Sequence, residues 1–139
     1  MSTKSTFQFK GFKILRSIID FNESIIIDES KILFSLSGVV KKSESKFELF
    51  LGIHITNENG DSHILVESMA DYGYDSEKEI SNKSDLNDLF YLNSIALLFP
   101  HIRAYITALT SLSGFSPIVL PTLNVSSLKD DLKENITIE

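Results

Sequence analysis

The side chains best equipped for chemistry in this chain are its three histidines, a scatter of carboxylates and the serine of Gly114-Phe115-Ser116-Pro117. His54 and His63 flank one turn, with Glu48 and Glu67 nearby, and two imidazoles beside a carboxylate are the beginnings of a zinc site. Zinc takes three or four protein ligands in a tetrahedron. With only Glu48 or Glu67 at hand, the pair reads as solvated strand histidines, and no metal is expected. His101 opens a helix and reads as packed or hydrogen-bonded rather than catalytic. A nucleophile elbow requires Gly-X-Ser-X-Gly after a strand, and here both the second glycine and the strand are missing. No phosphate loop or dinucleotide fingerprint is present, and only six glycines are available to build one. The absence of cysteine excludes disulfides and thiolate metal sites. Chemistry at a catalytic centre has no residues to carry it, so the expectation is a binding protein without a cofactor and not an enzyme.

The bulk properties agree. At 139 residues the chain has room for one core, hence one domain over residues 1–139, burying about two thirds of its unfolded surface. A net charge of -6, with 13 basic residues scattered rather than striped, opposes a grip on phosphates, so no nucleic-acid partner is expected. Met-Ser-Thr-Lys-Ser-Thr leads into Phe7-Gln8-Phe9-Lys10 and not into a continuous apolar stretch, so no signal peptide is expected and the cytoplasm is the expected location. The run from Ser94 to Phe115 is apolar enough to suggest a membrane span, yet Pro100, His101 and Arg103 interrupt it, and arginine costs roughly 2.5–3.5 kcal/mol at a bilayer centre. It reads as a buried or oligomer-forming helix, without membrane insertion.

The elements that would position these residues follow from periodicity. Phe7 and Phe9 alternate in one phase and Phe12 and Ile14 in the other, which predicts a strand bulged or bent at Gly11. Ile32, Phe34, Leu36, Gly38 and Val40 form a second alternating set, and Phe47, Leu49, Leu51, Ile53 and Ile55 a third. Lys41 to Lys46 is a polar turn between them. Asn57 to Asp61 is a hairpin turn leading to a fourth strand from Ser62 to about Tyr74. Ser76 to Asp88 has no sustained period and reads as a crossing loop ending in a short helical turn. Helical spacing then governs Ile95, Leu98, Phe99, Ile102, Tyr105, Ile106, Leu109 and Leu112, predicting a helix over 93–113 with Pro100 in its first turn and Gly114 as its stop. A final short helix capped by Ser126 or Ser127 runs to Lys133 and frays, with a mobile tail over about 129–139.

The predicted fold class is α+β, a four-stranded antiparallel meander packed by the long helix plus the short final one. The face of the long helix opposite its apolar stripe carries His101, Ala104, Ala108 and Ser111. A solvated face would carry lysine and glutamate there, so Ala104, Ala108 and Ser111 mark an expected oligomer interface.

A resemblance now enters. The run Asn93-Ser94-Ile95-Ala96-Leu97-Leu98-Phe99-Pro100-His101-Ile102-Arg103-Ala104-Tyr105-Ile106-Thr107, after four strands and a crossing loop, resembles the segment opening the long helix of the SecB export chaperone family. Leu98-Phe99-Pro100, Arg103, Ile106-Thr107, Phe115, Leu120, Asn124 and Leu128 follow the family's pattern in order. The likeness is specific over residues 93–128 and only patterned over the strands.

This resemblance implies an ATP-independent holdase for unfolded polypeptides or preproteins, assembled as a tetramer, a dimer of dimers with the long helices between dimers. Leu65-Val66-Glu67 looks like the family's docking motif for the SecA translocase motor, with Leu65 and Glu67 on the opposite strand face from Ile64 and Val66. The family's topology would bring Tyr72, Tyr74, Phe115 and Leu120 together as a client groove, the alternative being that they pack the loop onto the sheet. Pro117 and Pro121 are each shifted by one position, the family's Gly-Gly-aromatic stretch is here Ala70-Asp71-Tyr72-Gly73-Tyr74, and Lys129 to Glu139 does not resemble the family's motor-binding tail. SecB-like guardians of an antitoxin in a toxin–antitoxin system are therefore an open alternative, as is a non-catalytic interaction module.

Overall fold

The structure, a computed structural model, describes residues 7–75 and 80–139. Four strands come first: β1 (Gln8–Asp20), β2 (Lys31–Lys41), β3 (Lys46–Thr56) and β4 (His63–Gly73). Helix α1 (Asp88–Leu112), helix α2 (Val125–Glu134) and strand β5 (Ile136–Ile138) complete the described chain. The sheet order is β1-β4-β3-β2-β5.

Alternation is the cause of the sheet's two faces. Phe47, Leu49, Leu51, Ile53 and Ile55 of β3 are at most 1% exposed and share one face, while Glu48, Phe50, Gly52 and His54 between them take the other. The antiparallel register aligns Leu36, Leu51, Ser68 and Ile14 in one row across β2, β3, β4 and β1, so a single apolar face continues over four strands. On β1 the register shifts between Phe9 and Gly11, as the change of phase predicts, and again between Ile14 and Arg16. The first bulge turns Phe9, Phe12 and Ile14 toward the same face, and the second brings Ser17 and Ile19 opposite Val66 and Ile64.

That face is covered by α1, whose buried stripe is Tyr91, Ser94, Ile95, Leu98, Phe99, Ile102, Ile106 and Thr110. The helix is long and apolar enough to cross a membrane by length and composition alone. In this fold its apolar stripe packs on the sheet. It begins at Asp88, earlier than the predicted 93, because Asn87 accepts from the Phe90 N–H and supplies the N-cap that the spacing of apolar residues does not reveal. Pro100 consequently lies inside the helix and not in its first turn. Its ring removes the hydrogen bond to the Ala96 carbonyl. Both residues are exposed, so the freed carbonyl turns outward from the core.

Two further expectations are corrected at the C-terminal side. The sheet has five strands and is not purely antiparallel, because β5 pairs in parallel with β2, aligning Gly38 with Ile136 and Val40 with Ile138. Residues 129–139 therefore do not fray into a mobile tail. Leu128, Leu132 and Ile136 are buried in the core and hold this segment down. Asn124, rather than Ser126 or Ser127, caps α2 by accepting from the Ser126 N–H. Lys129 and Lys133 of α2 also reach Asp88 at the start of α1, at 3.4 and 3.0 Å. The expected helical turn in the crossing loop is present at Lys83–Asp85, with Asn82 and Asp85 forming a capping box. The expected loop residues 76–79 lie outside the described residues.

Candidate polypeptide-binding surfaces

The four residues expected to line a client groove are divided between opposite ends of the sheet. Tyr72 faces Phe9 at the start of β1. Phe115 meets Phe21, which directly follows β1. At about 3.3 Å per strand residue the two ends are separated by more than 30 Å. Leu120 is 1% exposed and belongs to the core.

At the first end, Tyr72 is enclosed. Its ring lies 4.8 Å from Phe7, 5.5 Å from Phe9 and 5.8 Å from Phe47 between centroids, and Phe47 in turn packs 4.7 Å from Phe90 of α1. Its hydroxyl donates to the Ser94 carbonyl, tying sheet to helix. Burial pushes the phenol pKa up, so it stays a neutral donor. Tyr74 follows β4 and is held by its N–H donating to the Ser45 carbonyl at 3.0 Å. Its hydroxyl is buried and has no hydrogen-bond partner among the described residues. The residue borders a depression of about 790 Å³ whose other walls include Lys10, Glu44, Lys46 and Asp71.

The second end is built from loops. Two segments that sequence spacing leaves unconnected, 21–26 and 113–119, are stitched together there. Ser62 is buried, and its hydroxyl accepts from the N–H groups of Asn22 and Glu23 at 2.9 and 3.2 Å, fixing the chain after β1. Gly114, with φ of 88°, turns the chain out of α1. The Phe115 N–H then donates to the Thr110 carbonyl and the Ser116 N–H to the Ser24 hydroxyl. Thr107 donates to the Ile118 carbonyl at 2.7 Å, and the buried Thr110 hydroxyl accepts from the Ile118 N–H at 3.0 Å. The extended proline-bearing segment is thereby fastened along the helix. Phe115 is half-buried, its ring edge-on to Phe21 at 4.6 Å. The same two segments and the helix end expose Ile26, Val119 and Leu112 at 61%, 52% and 87%. The fastening roles of Phe21, Thr107, Thr110 and Ser62 do not follow from the sequence reading; threonines three apart on one helix are the available signal for the last-turn fastening.

Leu65 and Glu67 lie on the sheet face away from α1, as strand alternation requires. Leu65 stands between Ile18 and His54, and Glu67 between Arg16 and Gly52, with the Arg16–Glu67 ion pair at 3.6 Å. A groove of about 480 Å³ crosses the strands here, lined by Leu15, Glu67, Gly52, Phe50 and Ser35 and reaching Asp131 and Asn135 beyond β2. A Cβ at Gly52 would stand 2.5 Å from the Ser35 hydroxyl, so a side chain there would make that hydroxyl rotate away. On the same face His54 Nε2 and His63 Nδ1 are 3.4 Å apart, and His63 Nε2 lies 3.6 Å from Asp20. No group of three or more metal-ligating side chains is placed to hold an ion among the described residues.

The outward side of α1 carries Ala104, Ala108 and Ser111, all exposed, in line with Ala96, Leu97, Pro100 and Leu112. Between Asp88 and the helix end Arg103 is the one charged residue apart from the histidine. His101 is covered on one side by Phe9 and Phe12, stacked at 5.3 and 4.9 Å.

No family model matches the chain. Over 43 residues it is 37% identical to an uncharacterized protein of Methanocaldococcus jannaschii, a match spanning 31% of this chain and 28% of that protein. The chain is similar in structure to the SecB-like chaperone Rv1957 of Mycobacterium tuberculosis, solved in complex with a ChAD peptide from the HigA1 antitoxin. The TM-score is 0.70 at 18% identity, covering 85% of this chain and 91% of that one. A protein of unknown function from Streptococcus agalactiae is more distant, at TM-score 0.45 and 10% identity over 84% and 97% of the two chains. The chain thus has a SecB-like fold.

Proposed function

We propose that this protein is an ATP-independent chaperone that holds nonnative polypeptide segments in the cytoplasm. The observation that carries the reading is the likeness of fold, over nearly the whole chain, to a SecB-like chaperone with a peptide bound. The exposed Ile26, Leu112 and Val119 around the half-buried Phe115 supply apolar surface of the kind an unfolded segment would bury. Two client classes fit. An antitoxin is favoured by the peptide held in the mycobacterial neighbour. Preproteins handed to a SecA-type motor are the other, resting on the half-exposed Leu65 and Glu67.

Assembly through the charge-poor side of α1 belongs to the same reading, with a dimer of dimers as its expected form. Ala108→Glu would set an unpaired charge into that interface, at a cost of several kcal/mol. Light scattering on the wild type at roughly micromolar concentration decides this, since a monomer there removes the assembly. The function itself is tested by whether a stoichiometric amount of the chain suppresses aggregation of a diluted unfolded protein without nucleotide. Failure to do so, for antitoxin and preprotein alike, overturns the proposal.

A further inference from the structure

The two histidines that flank the turn between β3 and β4 come nearer to a metal site than their number suggests. They are diagonal neighbours on the sheet face away from α1, since His54 pairs with Leu65 and His63 with Thr56. His54 Nε2 and His63 Nδ1 face each other at 3.4 Å, and the two rings are nearly perpendicular, at 84°. A well-made hydrogen bond from a nitrogen is shorter, at about 2.9–3.0 Å. Two imidazole nitrogens, each about 2.0–2.1 Å from a tetrahedral zinc ion, stand about 3.3–3.4 Å apart. Adjacent ligands of a square-planar ion stand closer, at about 2.8 Å, and calcium and magnesium take oxygen ligands. The spacing therefore suits zinc.

Asp20 sets the tautomer. Its carboxylate lies 3.6 Å from Nε2 of His63, the other nitrogen of that ring. The negative charge draws the ring proton to Nε2 and leaves the Nδ1 lone pair aimed at His54. A carboxylate behind a histidine in this way is the usual outer support of a metal-bound imidazole. For the same reason Asp20 is not a third ligand. Both histidines are half-buried, and β3 and β4 pair without a register shift, so the rings need little ordering to meet an ion. Leu33, Leu65 and Ile18 lie in line with His54 across the sheet, and Thr56 separates His63 from Lys31.

We infer that His54 Nε2 and His63 Nδ1 bind a zinc ion, with Asp20 as a positioning residue and water in the two remaining positions. A ligand count alone argues against a metal, because closed sites use four protein ligands. An open site with two is weaker and its ion exchangeable. The His54 proton takes Nδ1 and the His63 proton stays on Nε2, so both rings remain neutral and no proton is lost. The ion bridges β3 and β4 beside Leu65. This site does not depend on the chaperone reading.

The test is a titration of the full, metal-free chain with zinc chloride, followed by calorimetry and by nitrogen NMR of the histidine rings. We expect saturable uptake of one zinc per chain, with the resonances of His54 Nε2 and His63 Nδ1 shifting while both nitrogens of His101 stay in place. His54→Gln and His63→Gln should each weaken binding about tenfold or more. Asp20→Asn keeps the shape and removes the charge. It should weaken binding about tenfold and raise the share of the other His63 tautomer in the metal-free chain. Equal affinity in the wild type and both glutamine variants would show scattered carboxylates to be the binders and overturn the inference. Absence of zinc uptake, or shifts confined to other nitrogens, would overturn it as well. One zinc per two chains with a doubled mass would place the ion between copies and overturn the open site. Unchanged affinity and tautomer in Asp20→Asn would overturn the part given to Asp20.

Discussion

The two aromatic clusters at the ends of the sheet are built from the same residue types to opposite effect. Around Tyr72 four rings surround one another and the hydroxyl is tied to α1, so the cluster is closed. Around Phe115 one edge-on contact with Phe21 joins two loops, and neighbouring aliphatic groups face solvent. Aromatic identity does not separate the two, but their supports do. Strand and helix enclose the first, whereas hydroxyl-to-backbone bonds from Ser24, Ser62, Thr107 and Thr110 hold the second open. A surface that must receive and release polypeptide can be drawn from the second kind, whose apolar groups already face solvent.

The strongest way to break this comparison is Tyr72→Ala, which should cost about 3–5 kcal/mol in a denaturant titration, as for other buried aromatics cut to alanine. A loss below about 1 kcal/mol would show the first cluster to be as loose as the second. Phe115→Ala should cost less, about 1–2 kcal/mol, in keeping with partial burial. It should nevertheless weaken protection of an unfolded test protein more than Tyr74→Phe does. Equal protection by wild type and Phe115→Ala would move the client surface elsewhere.

Tyr74→Phe sharpens the comparison from the other side. The buried hydroxyl lacks a partner among the described residues, so its removal should leave stability unchanged or raise it by up to about 1 kcal/mol. A drop of more than that in the same titration would reveal a hydrogen bond formed by this group.

The smallest effect concerns the tether between the helices. Asp88 is held below the ordinary carboxyl range by the hydrogen bond from Lys133 and the charges of Lys129 and Lys133. A depressed folded value means a contribution that is complete above the unfolded pKa and lost as pH falls through the folded one. Lys133, raised by Asp88, behaves oppositely, keeping its contribution below the ordinary lysine pKa and losing it as pH rises past the folded value. Asp88→Asn should therefore flatten the decline of the melting midpoint below about pH 4 relative to wild type. Identical acid limbs would show the tether to be without thermodynamic weight.

Much of the sheet was legible because its alternation is uninterrupted. Phe47 to Ile55 can bury one face in one way only, and the change of phase around Gly11 announces a bulge. The second bulge, near Leu15, leaves no such mark. Ile136-Thr137-Ile138 is too short and too close to a helix to read as a strand, and its partner lies 98 residues earlier, Gly38 aligning with Ile136. The helix start was hidden because Asn87 acts through one hydrogen bond, and Pro100 misled because its cost falls on an exposed carbonyl. Of the surfaces, the Leu65 and Glu67 face followed from strand parity alone. The separation of Tyr72 from Phe115 did not, since it depends on which end of β1 meets which loop, and no local spacing encodes that.

The position of β5 has a consequence for synthesis. The strand that covers the upper part of β2 is made last among the described elements, whereas β2 itself emerges early. Until residue 138 has cleared the ribosome, β2 presents a bare edge along its whole length, longer than in the finished fold. The nascent chain is thus at its most prone to pairing with a neighbouring copy shortly before its own β5 arrives, and crowded polysomes would be the place where such errors concentrate.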